Sequence, residues 1–297
     1  MKRRAAVAAH EPVAGGGAPA EQTPQPAARG LATAGGGAPN SPIIVLSYAY
    51  AGAERVQDAL AEGSSLGCTS GTGIIPQCAA AAEAWRRIEG QQGMTMSRLA
   101  AAAIRGLVTA QIAAILASSG RRRWCELTTA APGAAETFLQ VFPDAHFVCV
   151  HRSCLDVIRA GVQANPWGLQ AQSFRPFLLA YPGNSVAALA AYWVTSTEQL
   201  LGFERANQHA ADRVRYEDVT TQPGQALAAI RAALGLGGAE SDDIPPAQRG
   251  WLTEPGEAPA DPDTTVPAEM IPQPLRQRIT ELHAELGYPP PEPNSSA

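Results

Sequence analysis

The chain has 297 residues with a formal net charge of −5, and 45% of them are hydrophobic. That is enough apolar material for one large domain or two small ones, and the acidic balance excludes a general nucleic-acid or polyanion binder, which needs excess Lys and Arg. Lys2 is the only lysine, so any chemistry that depends on an ammonium group must do without one.

Residues 1–41 are largely Ala, Gly, Pro, Gln and Glu, with GGGAP at Gly15–Pro19 and again at Gly35–Pro39. They carry no apolar periodicity, which predicts a disordered tail. The basic start is followed by no apolar segment of the kind a secretory leader needs, and a cytoplasmic protein is expected. The folded domain is predicted from residue 42 to residue 288, with 289–297 as a frayed end.

From Pro42 strands and helices alternate. Ile43–Ser47 reads as a buried strand and Ala53–Ala61 as the helix after it. Gln77–Ile88 is a second helix. Met96, Leu99, Ala103, Leu107, Gln111 and Ile115 keep a 3.6-residue stripe through a long third one, ended by Ser118-Ser119-Gly120. Its stretch Leu99–Leu116 is the most apolar in the chain. Arg105 and Gln111 interrupt it, so it is predicted as a core helix and not a membrane span. Trp124–Leu127 is a strand, Pro132–Phe142 a helix, Ala145–Val150 a strand and Ser153–Gln163 a helix. Ser185–Arg205 is a long helix, Arg213–Tyr216 a strand, and Pro223–Leu234 and Pro274–Leu286 are helices. Ser241–Pro267, rich in Asp, Pro, Glu and Gly, is predicted as a surface loop. This order implies an α/β fold, a three-layer parallel sheet flanked by helices. Ligands in such sheets bind beyond the carboxyl ends of the strands, here Ser47–Tyr50, Glu126–Thr129, His151-Arg152 and Tyr216–Asp218. The five cysteines, Cys68, Cys78, Cys125, Cys149 and Cys154, form no C-x-x-C pair and no zinc-like spacing with histidine, which predicts reduced structural thiols and no metal.

The chemistry-bearing residues sit at those strand ends. IIVLSYAYAGAERVQD, residues 43–58, has the strand, tight turn and helix that hold a phosphate on helical N–H groups. Its turn, however, has no lysine. In FPDAHFVCVHRSCLDVIRAG, residues 142–161, Arg152 lies where a strand opens onto a helix. A bidentate guanidinium there suits a phosphate; pairing with a carboxylate across the sheet top is equally compatible. In RVRYEDVTTQPGQALAAIRAALGL, residues 213–236, Glu217 and Asp218 could act as acid and base, although a carboxylate pair before a helix more often caps it or pairs within the sheet.

Taken together these stretches resemble the bacterial sulfotransferases. FPDAHFVCVHRSCLDVIRAG looks like that family's FPdAkf segment leading to an Arg and a D-V pair, and VRYEDVTTQPGQAL looks like its VRYEDL-to-Pro segment. PWGL at 166–169, PGNSVAALAAYW at 182–193 and ELGY at 285–288 are similar too. The resemblance spans about residues 42–288 and implies a P-loop-like fold related to the P-loop kinases. It also implies transfer of a sulfuryl group from 3′-phosphoadenosine 5′-phosphosulfate (PAPS) to a hydroxyl or amine of a small molecule, in bacterial specialised metabolism. Carried over onto this sequence, the phosphate contacts fall on the first loop, including Ser47, Tyr50 and Gly52, on Arg152, and on Arg249-Gly250, with Tyr216 near the adenine.

The departures are as informative. Where the family's first loop resembles P-[KR]-S-G-[ST]-T, this chain reads Ala49-Tyr50-Ala51-Gly52-Ala53-Glu54, and only the glycine remains. Tyr50 replaces the cation, Glu54 sets a negative charge at an anion-binding helix start, and the downstream Ser is Ala160. Loss of one transition-state donor costs ~10²–10³ in rate. Arg55, in the first helical turn, or the cluster Arg121–Arg123 could replace the missing cation, and a solvated helix arginine is the plain alternative for Arg55. Glu126 is the nearest candidate for a general base, or else a structural strand-end carboxylate. Trp167, Phe174, Phe177 and Trp193 are candidates for lining an acceptor pocket, and Trp193, mid-helix, reads equally as core. Two functions follow: a PAPS-dependent sulfotransferase, or a catalytically inactive sulfotransferase-fold protein serving as a binding or partner module. Neither nucleic acid nor membrane is expected as a partner, and a homo-oligomer is compatible with the sequence.

Overall fold

The computed structural model describes residues 41–89, 96–166, 168–169, 171–236 and 266–289. The predicted tail before Ser41, most of the 241–267 loop, the end beyond Pro289, Trp167 and Arg249-Gly250 lie outside these residues.

Five strands form one parallel sheet: β1 (Ile43–Leu46), β2 (Leu66–Ser70), β3 (Arg123–Thr128), β4 (His146–His151) and β5 (Ala211–Arg215), in the order β2-β3-β1-β4-β5. The helices are α1 (Ala53–Ala61), α2 (Ile74–Ile88), α3 (Arg98–Ser119), α4 (Pro132–Val141), α5 (Cys154–Ala164), α6 (Arg175–Ala180), α7 (Ser185–Ala206), α8 (Tyr216–Thr221), α9 (Pro223–Ala233) and α10 (Gln273–Leu286). A 3₁₀ turn, Gln172–Phe174, precedes α6.

β1 is the centre of the sheet, and its IIVL run is buried throughout, as a strand covered on both faces must be. Ile43 and Val45 pack with Val56 and Leu60 of α1 and with Leu227 and Ile230 of α9. Ile44 and Leu46 face the other layer, with Ile75, Phe138, Ile158 and Leu189 from α2, α4, α5 and α7. The chain leaves β1 toward β2 and leaves the adjacent β4 toward β5, on the opposite side. Divergence of neighbouring strands opens a crevice at their carboxyl ends, and Leu46, paired with Cys149, stands at its floor.

Several expectations need correction. β2, LGCTS, is a fifth strand that the sequence reading missed, because a short edge strand of small residues carries no apolar alternation. α6 and α8 were also missed, and Tyr216 opens α8 instead of closing a strand. Most tellingly, α3 buries Ala100, Ile104 and Val108, whereas Leu99 and Leu107 of the predicted core stripe are 67% and 60% exposed. Apolar residues, mostly alanine, occur on several sides of this helix, so periodicity could not choose its inner face. Of its most apolar 18-residue window, 17% is buried. It is a packed surface helix and not the core helix expected.

Candidate active site at the carboxyl edge of the sheet

The turn Tyr48–Ala51 between β1 and α1 is closed by Ala51 N–H donating to Tyr48 O (3.3 Å). Tyr50 takes φ 65°, the left-handed region, which a bulky side chain adopts at a cost of about 1–2 kcal/mol. Gly52, at φ 71°, needs its hydrogen side chain for a second reason. A Cβ there would stand 2.3 Å from Cε2 of Tyr216. The α8 tyrosine therefore lies directly against the loop's surviving glycine.

Arg152 follows β4 and is 4% exposed. Its Nη1 donates to Tyr50 O (2.9 Å), and its guanidinium carbon lies 4.3 Å from the centre of the Tyr216 ring. Its Nε is buried without a hydrogen-bond partner among the described residues. Tyr48 locks the backbone beneath: its hydroxyl accepts from Arg152 N (3.1 Å) and donates to Arg152 O (3.3 Å). Trp193 Nε1–H also donates to that carbonyl, at 2.9 Å. Burial pushes the Tyr48 phenol well above its usual range, so it stays a neutral two-way hydrogen-bonding group.

The structure thus brings together Ser47, Tyr50, Gly52, Arg152 and Tyr216. Their directions differ from those the sequence suggested. Ser47 Oγ donates to the backbone carbonyls of Tyr48 and Val150. The Tyr50 ring stacks on Phe174 (centroids 5.7 Å apart) and its hydroxyl accepts from Asn165 Nδ2 (2.7 Å). It leans over Gly161 of α5, where a Cβ would sit 3.2 Å from the Tyr50 Cδ2 atom. Tyr50 therefore points toward α5 and not into the loop. Ala49 N–H donates to Tyr192 Oη at 2.9 Å.

Helix α5 starts beside Arg152 and offers the amides an anion would use. Two of them are already engaged: Ser153 N–H with Glu217 Oε1 (2.9 Å) and Cys154 N–H with His283 Nε2 (3.2 Å). Glu217 also accepts from Tyr288 Oη (2.8 Å). Asp218 forms a fork with Arg215 (2.7 and 2.9 Å). Both carboxylates of the RYED stretch are therefore structural, and the acid/base alternative for them is set aside.

Of the two candidate catalytic residues, Arg55 follows the loop directly, its backbone N–H donating to Gly52 O at 3.1 Å, and Glu126 lies on β3. Arg55 is exposed on the first turn of α1, and its guanidinium has no partner among the described residues. Glu126 is 1% exposed and is enclosed by the β2–α2 turn. It accepts from Thr69 Oγ1 (2.5 Å), Thr72 N (2.9 Å) and Thr72 Oγ1 (2.7 Å). Burial raises its pKa, and those three bonds pull it part of the way back. So enclosed, it fixes the turn. The cluster Arg121–Arg123 begins β3, at the opposite edge of the sheet. There Arg123 holds Ser41 O (2.7 Å), Ser41 Oγ (3.0 Å) and Leu234 O (2.5 Å), so it replaces no loop cation.

Sequence reasoning missed Tyr48, Asn165, Tyr192 and His283, which set the loop and the α5 start. Of these, Tyr48 and Tyr192 lay inside stretches already singled out, residues 43–58 and PGNSVAALAAYW. Asn165 and His283 had no local signal, because the contacts that matter, with Tyr50 and Cys154, are distant in the chain.

A family model described as the sulfotransferase family matches residues 42–240. Among solved structures, the sulfotransferase domain from the curacin biosynthetic pathway superposes with a TM-score of 0.53 at 15% identity, over 85% of this chain and 99% of that one. The sulfotransferase domain from the Synechococcus PCC 7002 olefin synthase gives 0.47 at 16% identity, over 85% and 96%. A sulfotransferase from Alicyclobacillus acidocaldarius gives 0.45 at 12%, over 84% and 97%. No curated protein matches in sequence.

Proposed function

The chain belongs to the sulfotransferase family, and from that premise we propose that it takes PAPS as donor and transfers the sulfuryl group to a hydroxyl or amine of a small molecule. The setting is cytoplasmic specialised metabolism, extended here from the pathway named for the curacin domain. The observation that carries this reading is Arg152: a buried guanidinium at the crevice, with an unpartnered Nε, beside the loop glycine and under an aromatic ring. A buried donor without an acceptor calls for one, and on this reading a nucleotide phosphate would supply it. Arg152 and the Gly52 turn would hold the phosphates, and Tyr216 would flank the adenine. Arg249-Gly250 is assigned to the same nucleotide by resemblance. PAPS supplies an activated sulfuryl group. The S–O bond to the phosphate breaks, a bond from sulfur to the acceptor oxygen or nitrogen forms, 3′,5′-ADP leaves, and the acceptor loses a proton.

A second reading is favoured by Tyr50. The position of the family's cation holds a neutral ring turned onto Asn165 and Phe174, and Ala49 N–H is engaged by Tyr192. On this reading the chain binds the donor nucleotide without transferring from it. Titration calorimetry with 3′,5′-ADP and PAPS tests both. Nucleotide binding is expected for the wild type, and Arg152→Ala should weaken it by ~1.5–3 kcal/mol, the worth of a charge-assisted hydrogen bond. Absence of binding to either nucleotide would overturn both readings. Binding of 3′,5′-ADP with no release of 3′,5′-ADP from PAPS across a panel of phenols, alcohols and amines would select the second.

A further inference from the structure

His283, on α10, is 3% exposed, and both of its ring nitrogens are engaged. Cys154 N–H donates to Nε2 (3.2 Å), and Nδ1 stands 3.2 Å from Pro289 O. A backbone N–H can only donate and a carbonyl can only accept. Nε2 must therefore be bare and Nδ1 must carry the proton, which fixes the ring as one neutral tautomer. Burial lowers its pKa, while the Pro289 bond and the Asp156 charge pull the other way. The ring meets Trp193 of α7 edge-on (centroids 5.4 Å apart) and lies 5.2 Å from the Tyr288 ring. Of the charges around it, Asp156 belongs to α5, Glu217 of α8 is held by Tyr288 Oη and Ser153 N–H, and Arg215 lies over Tyr288. Those on α7 and α10 pair across the two helices, Glu198 with Arg278 and Arg205 with Glu285. Both direct contacts of His283 lead to Arg152: Cys154 follows it by two residues, and Trp193 Nε1–H donates to its carbonyl at 2.9 Å.

We propose that neutral His283 is a positioning residue for Arg152, tying the start of α5 to α10 and backing Trp193, and that it releases the α5 start when it takes up a proton. As far as a ligand is concerned, this rests on the nucleotide reading above. The incoming proton binds Nε2, the only bare ring nitrogen, and sets an N–H against the Cys154 N–H. Two donors then face each other and that bond is lost, while the Nδ1–H bond to Pro289 O survives. The new cation also meets the positive end of the α5 dipole. Because the folded ring holds its proton less tightly than the unfolded one, its contribution is complete above ~6.5. It shrinks as pH falls through that value toward the lower folded pKa. Arg152 is therefore best placed for an anion at neutral pH and above.

Nitrogen-15 NMR of the full chain labelled at histidine reads the tautomer, with a protonated Nδ1 and a bare Nε2 expected for His283 at neutral pH. Hydrogen exchange at the Cys154 amide, corrected for its intrinsic rate, should lose at least ~10-fold in protection between pH ~7 and ~5. In His283→Gln that loss should vanish, because Oε1 accepts the same N–H and does not titrate. His283→Phe keeps a ring against Trp193 and Tyr288 but offers no acceptor. It should lower the protection at every pH and weaken 3′,5′-ADP binding ~3–10-fold, the range of one lost hydrogen bond. If the Phe variant fails to fold, the Gln variant still decides. Calorimetry of wild type and His283→Gln at each pH cancels the nucleotide's own ionisation. Their affinities should match at neutral pH and part by at least ~3-fold, against the wild type, near pH ~5. An Nε2–H tautomer, Cys154 protection that ignores pH, or nucleotide affinities that stay equal at every pH would overturn the proposal. Absence of nucleotide binding at every pH would overturn the functional reading instead, and the tautomer and exchange results would still decide the role of His283.

Discussion

A buried carboxylate with three donors around it is the clearest single-residue case in this protein. Burial raises the Glu126 pKa, so ionising the group costs more in the folded chain than in the unfolded one. Its contribution is therefore most favourable at low pH, and it is lost as pH rises from the unfolded value, ~4.3, through the higher folded one. Gln at this position does not titrate. Urea unfolding of wild type and Glu126→Gln should show the wild type gaining stability relative to the variant as pH falls from neutrality toward the carboxylate range. A constant or reversed difference would mean that the three bonds outweigh burial. Glu126 also shows where sequence legibility ends. A carboxylate at a strand's carboxyl end was visible, but its enclosure by Thr69 and Thr72 was not, since it depends on a strand too short and small-sided to announce itself. Arg152 was legible because a strand end, an arginine and a helix start are all local features.

At the scale of elements, two stretches that resembled the family separately turn out to grip each other. The RYED stretch and the closing ELGY stretch meet above β5. Arg215 donates to Gly287 O (2.6 Å) and lies over the Tyr288 ring, while Tyr288 Oη donates to Glu217. Glu217 thereby sets its negative charge on the α5 N-terminus, where the helix dipole favours it. Asp218, held by Arg215, raises that arginine's pKa further. The clasp secures α5 next to Arg152, so it bears on the site without touching a ligand. Glu217→Gln should cost about 1.5–3 kcal/mol and Tyr288→Phe about 1 kcal/mol. Because they share one bond, the double variant should fall short of the sum by ~0.5 kcal/mol or more in denaturant unfolding. Strict additivity would show the two contacts to be independent. The order of strands and helices was largely readable from apolar runs and turn residues, as β1 and β4 illustrate. The faces of α3 and the partnership of these two stretches were not, because both are decided by neighbours remote in sequence.

For the whole molecule, the sheet needs both of its edges anchored, and the edge away from the crevice depends on a buried cation. Arg123 opens β3, is almost wholly enclosed, and has its pKa lowered by burial. Two of its acceptors, Ser41 O and Ser41 Oγ, come from the residue just before the domain boundary expected at Pro42, and the third is Leu234 O after α9. A guanidinium enclosed in this way ties the start of β1, the start of β3 and the end of α9 at one point. The sequence before residue 41 has no core-forming pattern, which makes the boundary a sharp test. Deleting residues 1–40 should leave the melting temperature nearly unchanged. Deleting 1–41 removes two acceptors from a buried charge and should cost ~1–3 kcal/mol, a drop of roughly 2–10 °C for a domain of this size. Calorimetric melting of the two truncations side by side reads the difference directly. Equal melting temperatures would show that water replaces Ser41 at Arg123, and a large drop already in the shorter deletion would show that the segment before Ser41 packs on the domain.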